Sequence, residues 1–158
     1  MEIVSVAAVA ENGVIGQGNS LPWHLPHESK RYRERVADDV VALGRHTFEL
    51  FDDLPGRAQV VLSRTERDWP QATAHHASDV DEAITVADSL GADTLYVLGG
   101  SAIYGLFLDV ADRQLLSRVH GEYDGDAHYP EFDDGDWQLV EETEYDGYTL
   151  EDWRRRAD

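Results

Sequence analysis

Residues 3–26 read IVSVAAVAENGVIGQGNSLPWHLP, and this stretch decides the fold class. Its first eight residues are nearly all apolar and rich in Val and Ala, which is typical of a strand buried on both faces in a parallel sheet. A glycine-rich loop follows, with the spacing G-x-x-G-x-G rather than the dinucleotide-binding G-x-G-x-x-G. Two prolines then hold a Trp between them, and Pro26 can serve as the first residue of a helix. The stretch therefore predicts a buried strand, a turn and a helix.

The strand pattern recurs along the chain, with helical segments between the strands. Further strands are predicted at residues 40–43, 60–62, 95–98 and 115–119. Helices are predicted at residues 26–36, 45–51, 78–90 and 102–108, with Ser78 capping the third and Ser101 the fourth. Near the C-terminus, Asp146-Gly147 predicts the turn of an antiparallel hairpin at the sheet edge. The alternation of strands and helices indicates an α/β protein with a largely parallel sheet.

Length and composition favour one domain over residues 1–158. The absence of cysteine excludes disulfides, thiol catalysis and cysteine-rich metal sites. No apolar run reaches the length of a membrane span, and the N-terminus has no basic region of a signal peptide. His24 and His27 are separated by Pro26, and the aspartates of residues 124–136 lack the spacing of a calcium loop, so no metal site is predicted. We expect a cytoplasmic protein without a metal.

The net charge is −19, from 13 basic and 32 acidic residues, and Lys30 is the only lysine. So acidic a chain repels nucleic acid and anionic membranes, and neither is expected as a partner. An acidic, lysine-poor composition resembles the proteins of salt-loving organisms. At multimolar salt the Debye length falls to about 3 Å, which largely screens the self-repulsion of such a chain.

Polar groups follow three of the predicted strands at the point where each strand ends. They are Gly44-Arg45-His46-Thr47, Ser63-Arg64 and Gly99-Gly100-Ser101. Ligands of open α/β sheets bind beyond the carboxyl ends of the strands, and N–H groups at a helix start attract phosphate. The pattern therefore predicts an anionic nucleotide lying across the sheet.

Three further features leave alternatives open when each is taken alone. Trp23 could pack in the core or line a pocket. Glu28, in the first turn of a predicted helix, is more simply explained by the helix dipole than by a ligand. The arginines of residues 154–156 are more simply a solvated tail than a phosphate-binding patch.

Six motifs together resemble the dihydrofolate reductase family, in its order and at its spacing over essentially the whole chain. They are Val14-Ile15-Gly16, Leu21-Pro22-Trp23-x-Leu25-Pro26, Gly44-Arg45-His46-Thr47-Phe48-Glu49, Leu54-Pro55-Gly56-Arg57, Leu98-Gly99-Gly100 and Gly125-Asp126-x-His128-Tyr129-Pro130.

The resemblance implies a mostly parallel eight-stranded sheet with an antiparallel C-terminal edge and helices on both faces. It implies an enzyme that uses NADPH to reduce 7,8-dihydrofolate to tetrahydrofolate for one-carbon metabolism, with hydride passing to C6 and a proton to N5. We expect a monomer. The acidic composition suggests a halophilic archaeal member.

The resemblance also implies the residues that bind the substrate. Glu28 would hold N3 and the 2-amino group of the pterin, and a water would deliver the proton to N5. Ser117 would support this carboxylate, and Arg57 would bind the α-carboxylate of the glutamate tail. The apolar wall would consist of Tyr32, Leu50 and Leu54, and the loop that closes over the site would contain Leu21 and Trp23.

The cofactor residues follow in the same way. The nicotinamide would contact Ala8, Ile15 and Gly16; the phosphates would contact Gly44, Arg45, His46 and Thr47; and the adenosine side would contact Ser63 and Arg64. A cis peptide is implied at Gly99-Gly100, and the cofactor site continues through Ser101, Ala102 and Ile103. Some bacterial members have Gly-Arg where Ser101-Ala102 stands here, so this chain lacks one phosphate-facing arginine.

Two other functions remain open. One is the NADPH-dependent reductase of riboflavin synthesis, which shares the fold but needs a further anion site for its phosphorylated substrate. The other is a non-catalytic acidic binding protein. Glu28 and Arg57 in their motifs favour folate, and an intact Trp23 and double glycine argue against lost activity.

Overall fold

The computed structural model describes residues 1–16, 21–66 and 68–157, so that part of the predicted glycine-rich loop, from Gln17 onward, lies outside the described residues. The strands are β1 (Glu2–Ala10), β2 (Val14–Gly16), β3 (Val40–Gly44), β4 (Ala58–Leu62), β5 (Ala74–Ala77), β6 (Thr94–Val97), β7 (Arg113–Val119), β8 (Ala127–His128), β9 (Trp137–Tyr145) and β10 (Tyr148–Arg155). The helices are α1 (Pro26–Val36), α2 (Arg45–Glu49), α3 (Val80–Ser89) and α4 (Ser101–Phe107).

Eight strands form one sheet in the order β5-β4-β3-β6-β1-β7-β10-β9. The first six of these are parallel, and β10 and β9 join the edge antiparallel. The predicted fold class is therefore confirmed. A separate pair, β2 with β8, and the edge strand β5 were not predicted from the residue pattern. Both strands of that pair are very short, and β5 reads AHHA with its first three residues only half-buried, so neither has the apolar run that marked the other strands.

The central strands are buried on both faces, because helices cover each side of the sheet. Val60 and Val61 are consecutive in β4 and fully buried, yet they belong to different apolar clusters. Val60 lies in the cluster that contains Ala87 of α3, and Val61 lies with Val36 of α1. This alternation is what a continuous apolar run provides in a parallel sheet. Among the described residues, no helix is long and apolar enough to cross a membrane.

Both predicted helix caps are wrong by one residue. The Asp79 side chain, not Ser78, caps α3, and its Oδ1 accepts a hydrogen bond from the Glu82 backbone N–H at 2.8 Å. An aspartate three residues before a glutamate forms the same capping pattern one position later. Ser101 lies inside α4, and its hydroxyl donates to the backbone oxygen of His128. It therefore ties α4 to β8 instead of capping the helix.

The C-terminal hairpin turns at Asp146-Gly147 as predicted, with φ of +86° at Gly147. The arginines of residues 154–156 are exposed, but they are not a free tail, because Arg154 and Arg155 belong to β10. Arg155 lies 4.5 Å above the ring of Trp137 and donates from Nε to the Ala111 oxygen at 2.9 Å. Arg156 donates to the oxygen of Asp134 at 2.9 Å. These two side chains therefore fasten the end of β10 to neighbouring loops.

Candidate active site

A cleft of about 480 Å³ opens at the carboxyl ends of β3, β4 and β6. It is lined by Gly44, Arg45, His46, Thr47, Leu62, Ser63, Arg64, Thr65, Gly100, Ser101, Ala102 and Ile103. Ten of these twelve residues are among those predicted to bind a cofactor. Leu62 and Thr65 were missed, although they flank Ser63-Arg64 and could have been found as their neighbours. Three separate strand ends thus meet in one place, as parallel topology requires.

The backbone at the base of this cleft is closely packed. The Gly99–Gly100 peptide bond is cis, as the resemblance implied, and the Gly44 N–H donates to the Gly99 oxygen at 2.8 Å. A Cβ at Gly44 would lie 3.0 Å from the side chain of Ile103, and one at Gly100 would lie 3.4 Å from the hydroxyl of Thr47. A side chain at either glycine would narrow the space in which a ligand approaches the backbone.

The cleft presents groups that suit an anionic ligand. Gly44 and Gly100 precede α2 and α4, and neither helix start has a side-chain cap. Arg64 is exposed, and within the described part of the chain it forms no ion pair. Arg45 is paired with Glu49 at 3.2 Å, in an exposed contact that a phosphate could replace. Guanidinium, hydroxyl and backbone N–H groups are the donors that a dinucleotide's phosphates require, so the residues present fit NADPH.

Glu28 is buried, at 7% exposure, in the first turn of α1. Burial raises the pKa of its carboxyl, while the nearby hydroxyl of Ser117 of β7 and the charge of Arg35 oppose that rise. Tyr32 lies one turn further along α1, and burial followed by the charge of Glu28 raises its pKa above the usual range. A carboxylate that only stabilises the helix dipole can stay in the solvent and has no need to be buried. The burial of Glu28 therefore favours the alternative that its carboxyl faces a ligand.

Trp23 is half-buried and lies edge-on to Tyr123, with ring centroids 5.3 Å apart. Its indole N–H is buried and has no hydrogen-bond partner among the described residues. Such buried donors are uncommon in folded proteins and mark a place where a water or ligand atom is expected. Leu21, the other predicted member of the closing loop, is 52% exposed.

The β1–β7 register links the two halves of the predicted site. Ala8, predicted to contact nicotinamide, lies directly opposite Ser117, the partner of Glu28. Ile15 of β2 is half-buried and packs against the apolar cluster that contains Val9 of β1. Ala8 thus lies next to the strand position that faces Glu28, and neither Ala8 nor Ile15 is part of the lining of the wider cleft.

The predicted substrate wall is only partly assembled. Tyr32 and Leu54 pack against the same apolar cluster, whereas Leu50 is 47% exposed. Arg57 precedes β4, at the amino end of the sheet, and its Nη2 donates to the Leu90 oxygen at 3.0 Å. It also lies 3.9 Å from a carboxylate oxygen of Asp39. Its predicted role toward a glutamate tail stays a prediction.

Comparison with known proteins gives a consistent result. The family model described as dihydrofolate reductase matches residues 2–153. Dihydrofolate reductase HdrB of Haloferax volcanii is 33% identical over 165 residues, which cover 99% of this chain and 84% of that protein. Dihydrofolate reductase 1 of Haloarcula marismortui is 34% identical over 172 residues, which cover 99% of this chain and 92% of that protein. The solved structure of dihydrofolate reductase from Enterococcus faecalis complexed with NADP(H) superposes with a TM-score of 0.86 at 26% identity, over 99% of this chain and 97% of that one.

Proposed function

The chain belongs to the dihydrofolate reductase family and reduces dihydrofolate with NADPH, and we propose that Glu28 is the carboxyl at the centre of its reaction. The burial of the Glu28 carboxyl beside Ser117 is the observation that carries this proposal. The family match favours dihydrofolate reduction over the riboflavin-pathway reductase and over a non-catalytic protein.

Glu28 has two tasks in this proposal. As a carboxylate it accepts hydrogen bonds from N3 and the 2-amino group of the pterin, which orients the ring. Because burial raises its pKa, it also holds a proton at a higher pH than an exposed glutamate does. When bound, NADPH supplies the hydride that passes to C6. A water held near Glu28 would carry the proton to N5, and the indole N–H of Trp23 is a buried donor for such a water.

The cofactor is proposed to lie in the cleft at the ends of β3, β4 and β6. Arg64 and Arg45 would meet its phosphates, with the hydroxyls of Thr47 and Ser63 beside them. A guanidinium favours the extra 2′-phosphate of NADPH, so Arg64 would select NADPH over NADH. Leu21 and Trp23 would help to exclude water from the transferring hydride.

We further propose that the enzyme works as a cytoplasmic monomer at high salt. The charge of −19 and the scarcity of lysine support the salt adaptation, as do the relatives from Haloferax and Haloarcula. Its state of assembly, its location and the absence of nucleic-acid, membrane and metal partners stay predictions.

The test is NADPH oxidation with dihydrofolate, inhibited by the antifolate methotrexate, at low and at multimolar KCl. Glu28→Gln should lower turnover at pH 7 by about 100-fold or more, the usual scale for loss of a proton-transfer group. Glu34→Gln is the matched control, because Glu34 lies on the same helix with a side chain that is 64% exposed. A Glu28→Gln enzyme as active as the control would refute the proposed role.

A further inference from the structure

The tip of the C-terminal hairpin packs against the first turn of α1, which carries Glu28. The hydroxyl of Tyr148 is hydrogen-bonded to Nδ1 of His27 at 2.9 Å. The rings of Tyr145 and Tyr148 stack with centroids 5.1 Å apart, and the ring of His27 lies 5.1 Å from that of Tyr145. The guanidinium of Arg31 lies 5.3 Å from the same Tyr145 ring. The contact thus joins residues 121 positions apart in the chain.

The start of α1 has little support of its own. Leu25 occupies the cap position without a side-chain hydrogen bond, and Pro26 follows it. The hairpin turn approaches this point closely, since a Cβ at Gly147 would lie 2.8 Å from Cδ2 of Leu25. Helix starts ordinarily gain stability and definition from a capping side chain. Here the hairpin tip supplies an external contact at the same place.

Two neighbouring strands therefore hold two consecutive residues of α1. The Ser117 hydroxyl of β7 lies beside the Glu28 carboxyl, and Tyr148 of β10 is hydrogen-bonded to His27. The strands are paired directly, with Tyr148 opposite Val119 in the β7–β10 register. Tyr148 is 2% exposed, so its hydroxyl has little choice of partner.

We propose that Tyr148, acting through His27, is a positioning residue that holds Glu28 in its buried place against Ser117. The proposal rests on the role proposed above for Glu28. Tyr148 does not touch the reacting atoms in this account. It limits the movement of the helical turn on which the carboxyl is carried, and small displacements of a reacting group have large effects on rate.

The protonation of Glu28 should report this positioning. The charged and titratable groups near it are Tyr148 of β10, Tyr104 of α4, and Tyr32 and Arg35 of α1, with the hydroxyl of Ser117 on β7. Burial is the largest cause of its raised pKa. If the first turn of α1 loosens, water reaches the carboxyl and its pKa falls toward the ordinary value.

Tyr148→Phe tests the proposal, because it removes the hydroxyl and keeps the stacked ring. We expect the KM for dihydrofolate to rise about fivefold, the scale of one lost neutral hydrogen bond. The KM for NADPH should stay unchanged. The fall of kcat with rising pH should begin at a lower pH, and kcat at low pH should return to the wild-type value.

Tyr145→Phe is the matched control, since the hydroxyl of Tyr145 makes no hydrogen bond within the described residues. It should behave as the wild type. His27→Leu removes the other partner of the same hydrogen bond. The double variant of His27→Leu and Tyr148→Phe should therefore show the same KM for dihydrofolate and the same pH profile as either single variant.

The proposal is overturned if Tyr148→Phe matches the Tyr145→Phe control in KM and in pH profile. It is also overturned if kcat falls equally at every pH while the Tm drops and the KM for NADPH rises, because that pattern indicates general destabilisation. If Glu28→Gln itself leaves turnover intact, the proposed function fails instead, whatever Tyr148→Phe does.

Discussion

Glu28 of α1 and Ser117 of β7 lie against each other in the interior, where they are 7% and 3% exposed. Burial pushes the pKa of this carboxyl up and the Ser117 hydroxyl pulls it down. Two opposed effects therefore set the protonation of Glu28, the acid that we propose to be central to the reaction. Changing either one should move the pH dependence of the reaction in a known direction.

Removal of the Ser117 hydroxyl should raise the pKa of Glu28 further. A hydroxyl close to a carboxyl favours the charged form, and Ser117→Ala removes that hydroxyl. The pH at which kcat falls to half its maximum should therefore move upward, as measured by steady-state assays from pH 5 to 9. Ser117→Thr keeps a hydroxyl and should shift the profile less. A downward shift in Ser117→Ala would contradict the assigned contact.

The charged Glu28 carboxylate should lower the free energy of unfolding at high pH. Its pKa in the folded protein is raised above the ordinary value of a glutamate, which approximates its pKa in the unfolded chain. Between these two pKa values the folded state binds more protons than the unfolded state, so the free energy of unfolding falls as the pH rises. Above both values the buried carboxylate is charged and destabilising.

Glu28→Gln should therefore raise the Tm of the unliganded protein at pH 8 and raise it less at pH 4. Thermal melts at both pH values check this. Glu34→Gln removes the same charge from an exposed position and serves as the control for general relief of the −19 charge. If the two substitutions change the Tm equally at both pH values, the charge of the buried Glu28 carboxylate does not specifically destabilise the folded protein.

Arg64 should determine the preference for NADPH. Arg64→Gln should raise the KM for NADPH about tenfold, since a charge-assisted contact to a phosphate is lost, and should change the KM for NADH little. Arg154→Gln removes an equal charge far from the cleft, where Arg154 pairs with Asp152 at 3.5 Å. If the KM for NADPH and the KM for NADH rise by the same factor in Arg64→Gln, Arg64 does not face the 2′-phosphate.

Salt should help this enzyme bind its cofactor before it hinders binding. NADPH carries about four negative charges toward a protein of charge −19. Rising KCl screens that repulsion and also weakens the ion pair between Glu49 and Arg45, one of the two arginines that we propose to face the cofactor. The KM for NADPH should fall from low KCl to a minimum and then rise as ions compete for Arg45 and Arg64.

The Tm should also increase with KCl over the same range, because the acidic surface repels itself less. Activity and melting curves from dilute to multimolar KCl check both expectations. A KM that rises steadily from the lowest salt would contradict the first, and a flat Tm would contradict the second.

The central strands and α1 were predictable because their signals are local. Val60 and Val61 belong to an uninterrupted apolar run, and Pro26 marks the first residue of α1. The cleft was predictable in part for a topological reason, since parallel strands bring their carboxyl ends together. Strand β5 was missed because His75 and His76 give it no apolar run.

The contacts that organise the site could not be derived from residue patterns. Glu28 alone was better explained as a helix-dipole residue, and only the family resemblance pointed to Ser117 as its partner. The bond between His27 and Tyr148 joins distant parts of the chain, with no local signal at either residue. Long-range pairs of this kind depend on strand register, which the structure supplies.

The most direct test of the account is the rate of hydride transfer in a single turnover, measured from pH 5 to 9 in multimolar KCl with wild-type and Glu28→Gln enzymes preloaded with NADPH. The account predicts that the wild-type rate falls as the pH rises through the raised pKa of Glu28, and that Glu28→Gln is slow at neutral pH and lacks this inflection. A Glu28→Gln enzyme with the wild-type rate and the wild-type inflection would contradict it.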